Sequence, residues 1–357
     1  MLWPKALIVP VAGLLFFSAV EFSLFGSSLY RRILEPASNA GQVELLIEQA
    51  RQHPPEPDKT VLVMGDSRIG EGFSAKVADR VAGGRLRFVN GAASGSTPRS
   101  WYYMLRELDP GPANYRAIVL AVDDYRDEDG VWSWADYPLD LRIVIACLRL
   151  SDALDFAASF HQPALRFEAL RAGLYKGFVY KDDLRAFLAS PTARLQKVQA
   201  FRQNGATWTY EYTGNAGSLA GLSVDWAQRS ISFPPGLTDA QKQELRAALL
   251  RGMEPQHGDK YRYRKEWLGR IVDRYRGTST RVVFVRVPRA PVPPPASGTA
   301  LPSAISELAP AVTIVDENAF TSIEKPEYFF DSLHLNAQGR EEFSKQLAAR
   351  LQETVAR

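Results

Sequence analysis

The sequence predicts an α/β protein with a parallel sheet of about five strands, a helical insertion and an N-terminal transmembrane helix. Three observations predict it. Short apolar runs rich in β-branched residues alternate with helix-like stretches, the pattern of a doubly wound sheet. The chain opens on a long apolar segment. A stretch at about 131–258 breaks the alternation with helical and aromatic pieces.

The apolar segment covers residues 6–29, interrupted by Ser18 and Glu21, preceded by Lys5 and closed by Arg31 and Arg32. About 20 mostly apolar residues cross a hydrocarbon core, so the segment suffices as a single-pass anchor over residues 1–32. The rival reading is a cleaved signal peptide ending at Ser38-Asn39-Ala40, but that site lies well past the apolar run. Lys5 favours a cytoplasmic N-terminus with the following domain outside the cell membrane, in a periplasmic or other extracytoplasmic space, whereas Arg31 and Arg32 pull the other way. Glu21 has two readings, a polar contact with another membrane protein or a carboxylate among the outer headgroups. Residues 33–59 are expected as a linker, ending in the Pro-rich, charged 52–59.

Strands are expected at 60–65, 86–90, 117–122, 281–287 and 312–315, with helices at 73–81, 100–108, 260–275 and 303–308. The last element is an amphipathic helix with Phe343, Leu347, Leu351 and Val355 at fourfold spacing, and Asn336 as its N-cap. Within the insertion, helices are expected at 141–160, 164–188 and 239–251, and a strand at 206–212. Residues 289–298 are expected as a Pro-rich surface loop. One domain, 60–357, would contain both sheet and insertion.

Composition excludes several classes. The 357 residues are 46% hydrophobic and 23% charged, which is globular rather than disordered or fibrous. A formal charge of +3, without any run of five like charges, gives no footprint for nucleic acid. The single cysteine, Cys147, excludes an intramolecular disulfide and a multi-cysteine metal site.

Ser67, in Gly65-Asp66-Ser67, falls where the first strand ends, and ligands bind beyond the carboxyl ends of strands in open α/β sheets. A serine there is a nucleophile only with a base. Of the four histidines, His334 has Asp331 three residues before it, just ahead of the terminal helix. An aspartate so placed can take the Nδ1 proton and leave Nε2 to accept from Ser67. A bare strand-to-turn punctuation is the other reading of Gly-Asp-Ser, and the second motif tells against it.

These two motifs resemble the first and last blocks of the SGNH (GDSL-type) hydrolase superfamily. The stretch Asn90-Gly91-Ala92-Ala93-Ser94-Gly95-Ser96-Thr97 is similar to its second block. The resemblance covers roughly residues 60–130 and 280–350 and implies a flavodoxin-like three-layer α/β/α fold. It also implies Ser67 as nucleophile, His334 as base, Asp331 as its orienting partner, and Gly95 as an oxyanion donor through its backbone N–H. The third block departs: Asp123 stands where the family has an asparagine donor, and an ionised carboxylate offers no N–H. Asp123 would have to be protonated, replaced by another donor, or leave the site weak; Asp123 and Asp124 also read as a helix cap or a metal-like pair, though two adjacent carboxylates without a nearby histidine are poor evidence for metal. Arg68 reads either as a contact for an anionic substrate or as a partner of Glu71 or Asp124. Trp101, Tyr102, Tyr103, Trp132 and Trp134 read as core or as platforms for sugar rings.

An anchor joined to such a domain also resembles the proteins that accompany membrane-bound O-acyltransferases in polysaccharide acylation. The expectation is therefore a membrane-tethered serine esterase or O-acyltransferase, O-acetyl in type, acting on cell-surface glycan, with a membrane-bound acyltransferase as partner. No cofactor, metal or nucleic acid is expected. The alternatives are a lipid esterase and a non-catalytic partner of an acyltransferase.

Overall fold

The computed structural model describes residues 3–122, 134–204, 210–251, 263–290, 308 and 312–355. The chain begins with α1 (Trp3–Glu21), α2 (Ser28–Arg31) and α3 (Asn39–Gln52), followed by β1 (Thr60–Met64), α4 (Ser67–Gly72) and α5 (Ala75–Ala82). Next come β2 (Arg87–Asn90), α6 (Pro98–Leu108), β3 (Ala117–Val122), α7 (Leu139–Val144), α8 (Ala153–Ala158) and α9 (Pro163–Leu174). Helices α10 (Gly177–Ala189) and α11 (Pro191–Asn204) precede a small antiparallel hairpin, β4 (Ser223–Asp225) and β5 (Ser230–Ser232). The chain closes with α12 (Asp239–Arg251), α13 (Tyr263–Tyr275), β6 (Arg281–Arg286), β7 (Val312–Ile314) and α14 (Ala337–Val355).

Two compact units result: Met1–Gln52 with Ala135–Ala206, and His53–Trp134 with Thr207–Arg357. This grouping differs from the expected one. The first part of the insertion associates with the N-terminal segments, and its second part belongs with the sheet.

The sheet unit holds five parallel strands in the order β2-β1-β3-β6-β7. Every residue of β1 and β3 is buried, as expected of parallel strands covered on both faces. Val61, Val63, Val119, Val283 and Val285 share one core cluster with Phe73 and Ala78 and with Phe343, Leu347 and Leu351 of α14. Successive side chains point to opposite faces, so the equally buried Leu62, Ile118, Leu120 and Phe284 face the other way. Helices α6 and α13 pack together and bury Trp101, Tyr103, Met104, Trp267, Leu268 and Ile271. Registers Val63↔Asn90, Met64↔Leu120 and Val122↔Arg286 align the strands, so the loops after β1, β2 and β3 leave one edge.

The α14 cap forms as expected: Asn336 Oδ1 accepts the Gly339 N–H at 2.9 Å, satisfying a first-turn donor. Elsewhere the elements differ from expectation. The stretch 141–160 is not one helix but α7, a turn and α8, and 164–188 breaks at Tyr175 into α9 and α10. Residues 33–59 are not all linker, because α3 buries Val43, Leu45, Leu46 and Ile47. Of the expected strand 206–212, residues 206–209 lie outside the described residues, and Tyr210 and Glu211 form a turn. Expected helix 303–308 lies almost wholly outside them.

In the other unit, one helical segment among the described residues, Ile8–Gly26, is long and apolar enough to cross a membrane. Glu21 at its end is buried, and neither reading of it from sequence describes its contact. Its Oε1 accepts the Gly177 N–H at 2.8 Å, so the carboxylate meets the first turn of α10, where negative charge is favoured. Beyond it, Phe25 stacks on Tyr180, and the Tyr30 hydroxyl donates to Asp183 at 2.6 Å. Arg194 joins Asp183 (2.9 Å) and Glu35 (3.2 Å). Residues 21–35 therefore run alongside α10 from its first turn onward. Arg31 pairs with Glu44 at 3.4 Å.

Candidate active site

The turn from β1 into α4 places Ser67 at the first position of the helix. Asp66 is the N-cap, its Oδ1 accepting the Arg68 N–H at 2.9 Å, while its carbonyl takes the N–H groups of Ile69 and Gly70. The Ser67 N–H is the remaining first-turn donor and has no partner among the described residues. Gly65 makes the turn tight: a Cβ there would collide with the Ile69 side chain. The Gly65 carbonyl accepts the Ala93 N–H at 3.1 Å and the Ser96 hydroxyl at 2.9 Å, which ties the Ser67 turn to the glycine loop after β2.

Gly95 in that loop has φ +67°, a left-handed conformation that disfavours a side chain. Its N–H likewise has no partner among the described residues. Asn90, at the end of β2, donates through Nδ2 to the carbonyls of Ile69 (3.1 Å), Gly70 (3.3 Å) and Phe73 (3.0 Å). The same side chain accepts the Ala92 N–H at 3.1 Å. It pins the C-terminal end of α4 to the glycine loop.

The histidine loop is a short reversal. Phe329 and Leu335 form an antiparallel bridge, and the Phe330 N–H reaches the His334 carbonyl at 3.1 Å. Asp331 Oδ1 accepts the N–H groups of Leu333 (2.8 Å) and His334 (2.7 Å), and its Oδ2 lies 2.8 Å from His334 Nδ1. One oxygen thus shapes the loop and the other orients the ring. The Phe330 ring stacks on the imidazole with centroids 5.7 Å apart. His334 Nε2 lies 2.8 Å from Ser67 Oγ. Three residues from opposite ends of the sheet unit therefore form one hydrogen-bonded chain.

Electrostatics support a proton-accepting imidazole. Burial works against the His334 cation, but the hydrogen bond and charge of Asp331, with Glu71 and Asp66 adding to them, hold its pKa above the ordinary value. Burial also works against the Asp331 carboxylate, yet His334 and the two backbone donors hold it below its ordinary value.

Arg68 pairs with Asp66, Nη2 to Oδ2 at 2.6 Å, and not with Glu71. Glu71 instead accepts from Asn215 at 3.0 Å. Trp101 and Tyr103 are buried core, and the Trp101 indole N–H donates to Ser96 at 2.8 Å; Tyr102 packs on Trp267. Asp123, Asp124 and Trp132 lie outside the described residues. Among the described residues, no group of three His, Cys, Asp or Glu side chains is placed to hold a metal.

Two supporting residues carried no signal in the sequence. Arg340, on α14, donates to the carbonyls of Gly70 (3.0 Å) and Glu71 (2.6 Å) and lies over the Tyr212 ring at 4.8 Å. Burial lowers its guanidinium to about 10. Asn215 accepts the Ala337 N–H at 2.7 Å, bringing the insertion's second part against the start of α14.

No family model matches this chain, and no curated protein matches it.

Proposed function

We propose that this protein is a membrane-tethered serine esterase or O-acyltransferase of the SGNH type, working on acylated carbohydrate at the cell surface. One observation carries the reading: the chain Ser67 Oγ–His334 Nε2 and His334 Nδ1–Asp331 Oδ2, with both links at 2.8 Å. Strand order supports it, since β2-β1-β3-β6-β7 is the flavodoxin-like 2-1-3-4-5 order once the small hairpin is set aside.

In this mechanism His334 Nε2 removes the Ser67 proton as Oγ attacks the acyl carbonyl. Asp331 holds the proton on Nδ1 and stabilises the imidazolium that forms. The N–H groups of Ser67 and Gly95 are the donors for the developing oxyanion. His334 then returns the proton to the leaving alkoxide, and Ser67 carries the acyl group as an ester. A sugar hydroxyl or water, deprotonated by the same imidazole, attacks that ester and frees Ser67. The apolar segment Ile8–Gly26 would hold the chain at the bilayer where exported glycan emerges, and a membrane-bound acyltransferase is the proposed donor partner.

Hydrolysis of a soluble acetyl ester by the full-length chain tests the reading. Alanine at Ser67 or at His334 should each remove most turnover, and the double variant should be little worse than either, because such residues act as a unit. Unchanged turnover in Ser67→Ala would sink it.

A further inference from the structure

The hairpin formed by α8 and α9 buries Phe156, yet α8 and α9 meet through small residues and other large apolar side chains are left outward. Helix α9 buries its small residues, Ala169, Ala172 and Gly173, and leaves Phe167 at 65% and Leu174 at 40% exposure. Gly173 sits so close to α8 that a Cβ there would lie 2.7 Å from the Ala153 Cβ. On the α8 side Leu150 and Leu154, one turn apart, are 54% and 74% exposed. A helix pair at the surface of a water-soluble domain turns nearly all of its large apolar residues inward. Close packing through small residues with large ones outside is the arrangement of helices whose surroundings are lipid.

The exposed face is also continuous with the apolar N-terminal helix. The Phe17 ring lies 5.5 Å from Tyr175, and Tyr175 lies 6.4 Å from Phe178. The Arg171 guanidinium covers Phe178 at 4.7 Å and Phe167 at 6.0 Å. An unbroken path of rings and one cation thus leads from the spanning segment onto α9. Aromatic and arginine side chains together suit the headgroup level of a bilayer. The contacts of Glu21 with Gly177, Phe25 with Tyr180 and Tyr30 with Asp183 put the start of α10 beside the end of the apolar segment, with the rest of α10 running away from it.

We infer that the α8–α9 hairpin lies in the headgroup and acyl boundary of the membrane as a second, non-spanning contact beside the anchor. Its occupant is lipid. The inference rests on Ile8–Gly26 spanning the bilayer. It adds that the anchor unit is seated at a fixed depth and cannot swing freely on a tether.

The test uses the full-length protein in phosphatidylcholine–phosphatidylglycerol vesicles. A polarity-sensitive fluorophore is placed on single cysteines at Leu14, Leu154, Phe167 or Arg185, with Cys147 left buried. Lipids spin-labelled high on the acyl chain act as quenchers, and circular dichroism checks that each labelled protein is folded. Loss of emission at 154 and 167 should be comparable with that at 14, while 185, farther along α10, keeps its emission. Quenching at 14 with none at 154 or 167 overturns the inference and leaves the anchor standing. Absence of quenching at 14 removes the anchor and the inference with it. A blue shift at 154 and 167 that depends on protein concentration and resists the lipid quencher assigns the face to a second copy and equally overturns it.

Discussion

Asp331 does two jobs with two oxygens, and its neighbours can be separated by mutation. Asp331→Asn keeps the shape of the loop but can present an N–H toward Nδ1, stabilising the wrong tautomer. Turnover should fall on the order of 10³–10⁴-fold. The pH profile carries the sign. In the proposed mechanism neutral imidazole is the base, so turnover should rise with pH through the His334 pKa, which Asp331 holds above the ordinary histidine value. Asp331→Ala should therefore move the acid limb of the rate profile to lower pH, because burial then opposes the cation with less compensation. An acid limb that stays in place would contradict the electrostatic role. Asp66 supports Ser67 from the other side. Asp66→Ala should cost about 1 kcal/mol in chemical denaturation by removing the cap, and Asp66→Asn only a fraction of that. At this scale the residues of the hydrogen-bonded chain were legible, since Gly65-Asp66-Ser67 and Asp331-Ser332-Leu333-His334 are compact in sequence. Arg68 was less so: it pairs with the neighbouring cap Asp66, a carboxylate that was not considered for it. Asn90 was visible only as the first residue of a motif, and its hold on three backbone carbonyls is created by the fold.

Elements differ in how plainly their residues announce them. The inner strands β1, β3 and β6 are apolar runs buried on both faces, which need no partner to be recognised, whereas the edge strands β2 and β7 are shorter and partly exposed. Helix ends inside the insertion are set by contacts made far along the chain. The start of α10 at Gly177 is stabilised by Glu21, 156 residues away, which no window of sequence around Gly177 contains. Helix α3 was passed over because the Pro-rich 52–59 dominates that region, although Val43, Leu46 and Ile47 fall on one helical face. The pairing of α4 with α14 is likewise tertiary. Arg340→Leu removes one donor from the Gly70 carbonyl, which keeps Asn90, and the Arg340 donor from the Glu71 carbonyl, which should cost about 1–3 kcal/mol of stability. Because α4 carries Ser67 and α14 follows His334, ester turnover should fall further than the loss of folded protein explains. Gly65→Ala should destabilise by about 1–3 kcal/mol through overpacking against Ile69, and calorimetry reads this directly.

At the scale of the whole molecule, a unit built on the apolar N-terminal helix and a unit built on the parallel sheet share one chain, which passes between them near residues 52, 134 and 206. The apolar run foreshadowed the long apolar helical segment Ile8–Gly26, but the association of 135–206 with it was not legible. That association depends on Tyr30, Asp183, Arg194 and Glu35 meeting across the fold. Full-length protein should resist extraction from membranes by high salt and yield to detergent; release by salt would contradict the anchor. The central claim is that Ser67 is an activated nucleophile. Labelling of the full-length chain with a fluorophosphonate, followed by mass spectrometry of the peptide that contains Ser67, tests it most directly. The account predicts a phosphonyl adduct on Ser67 in the wild type, strongly reduced in His334→Ala and absent from Ser67→Ala. A folded wild-type protein that forms no adduct, or that labels equally in Ser67→Ala, would contradict it.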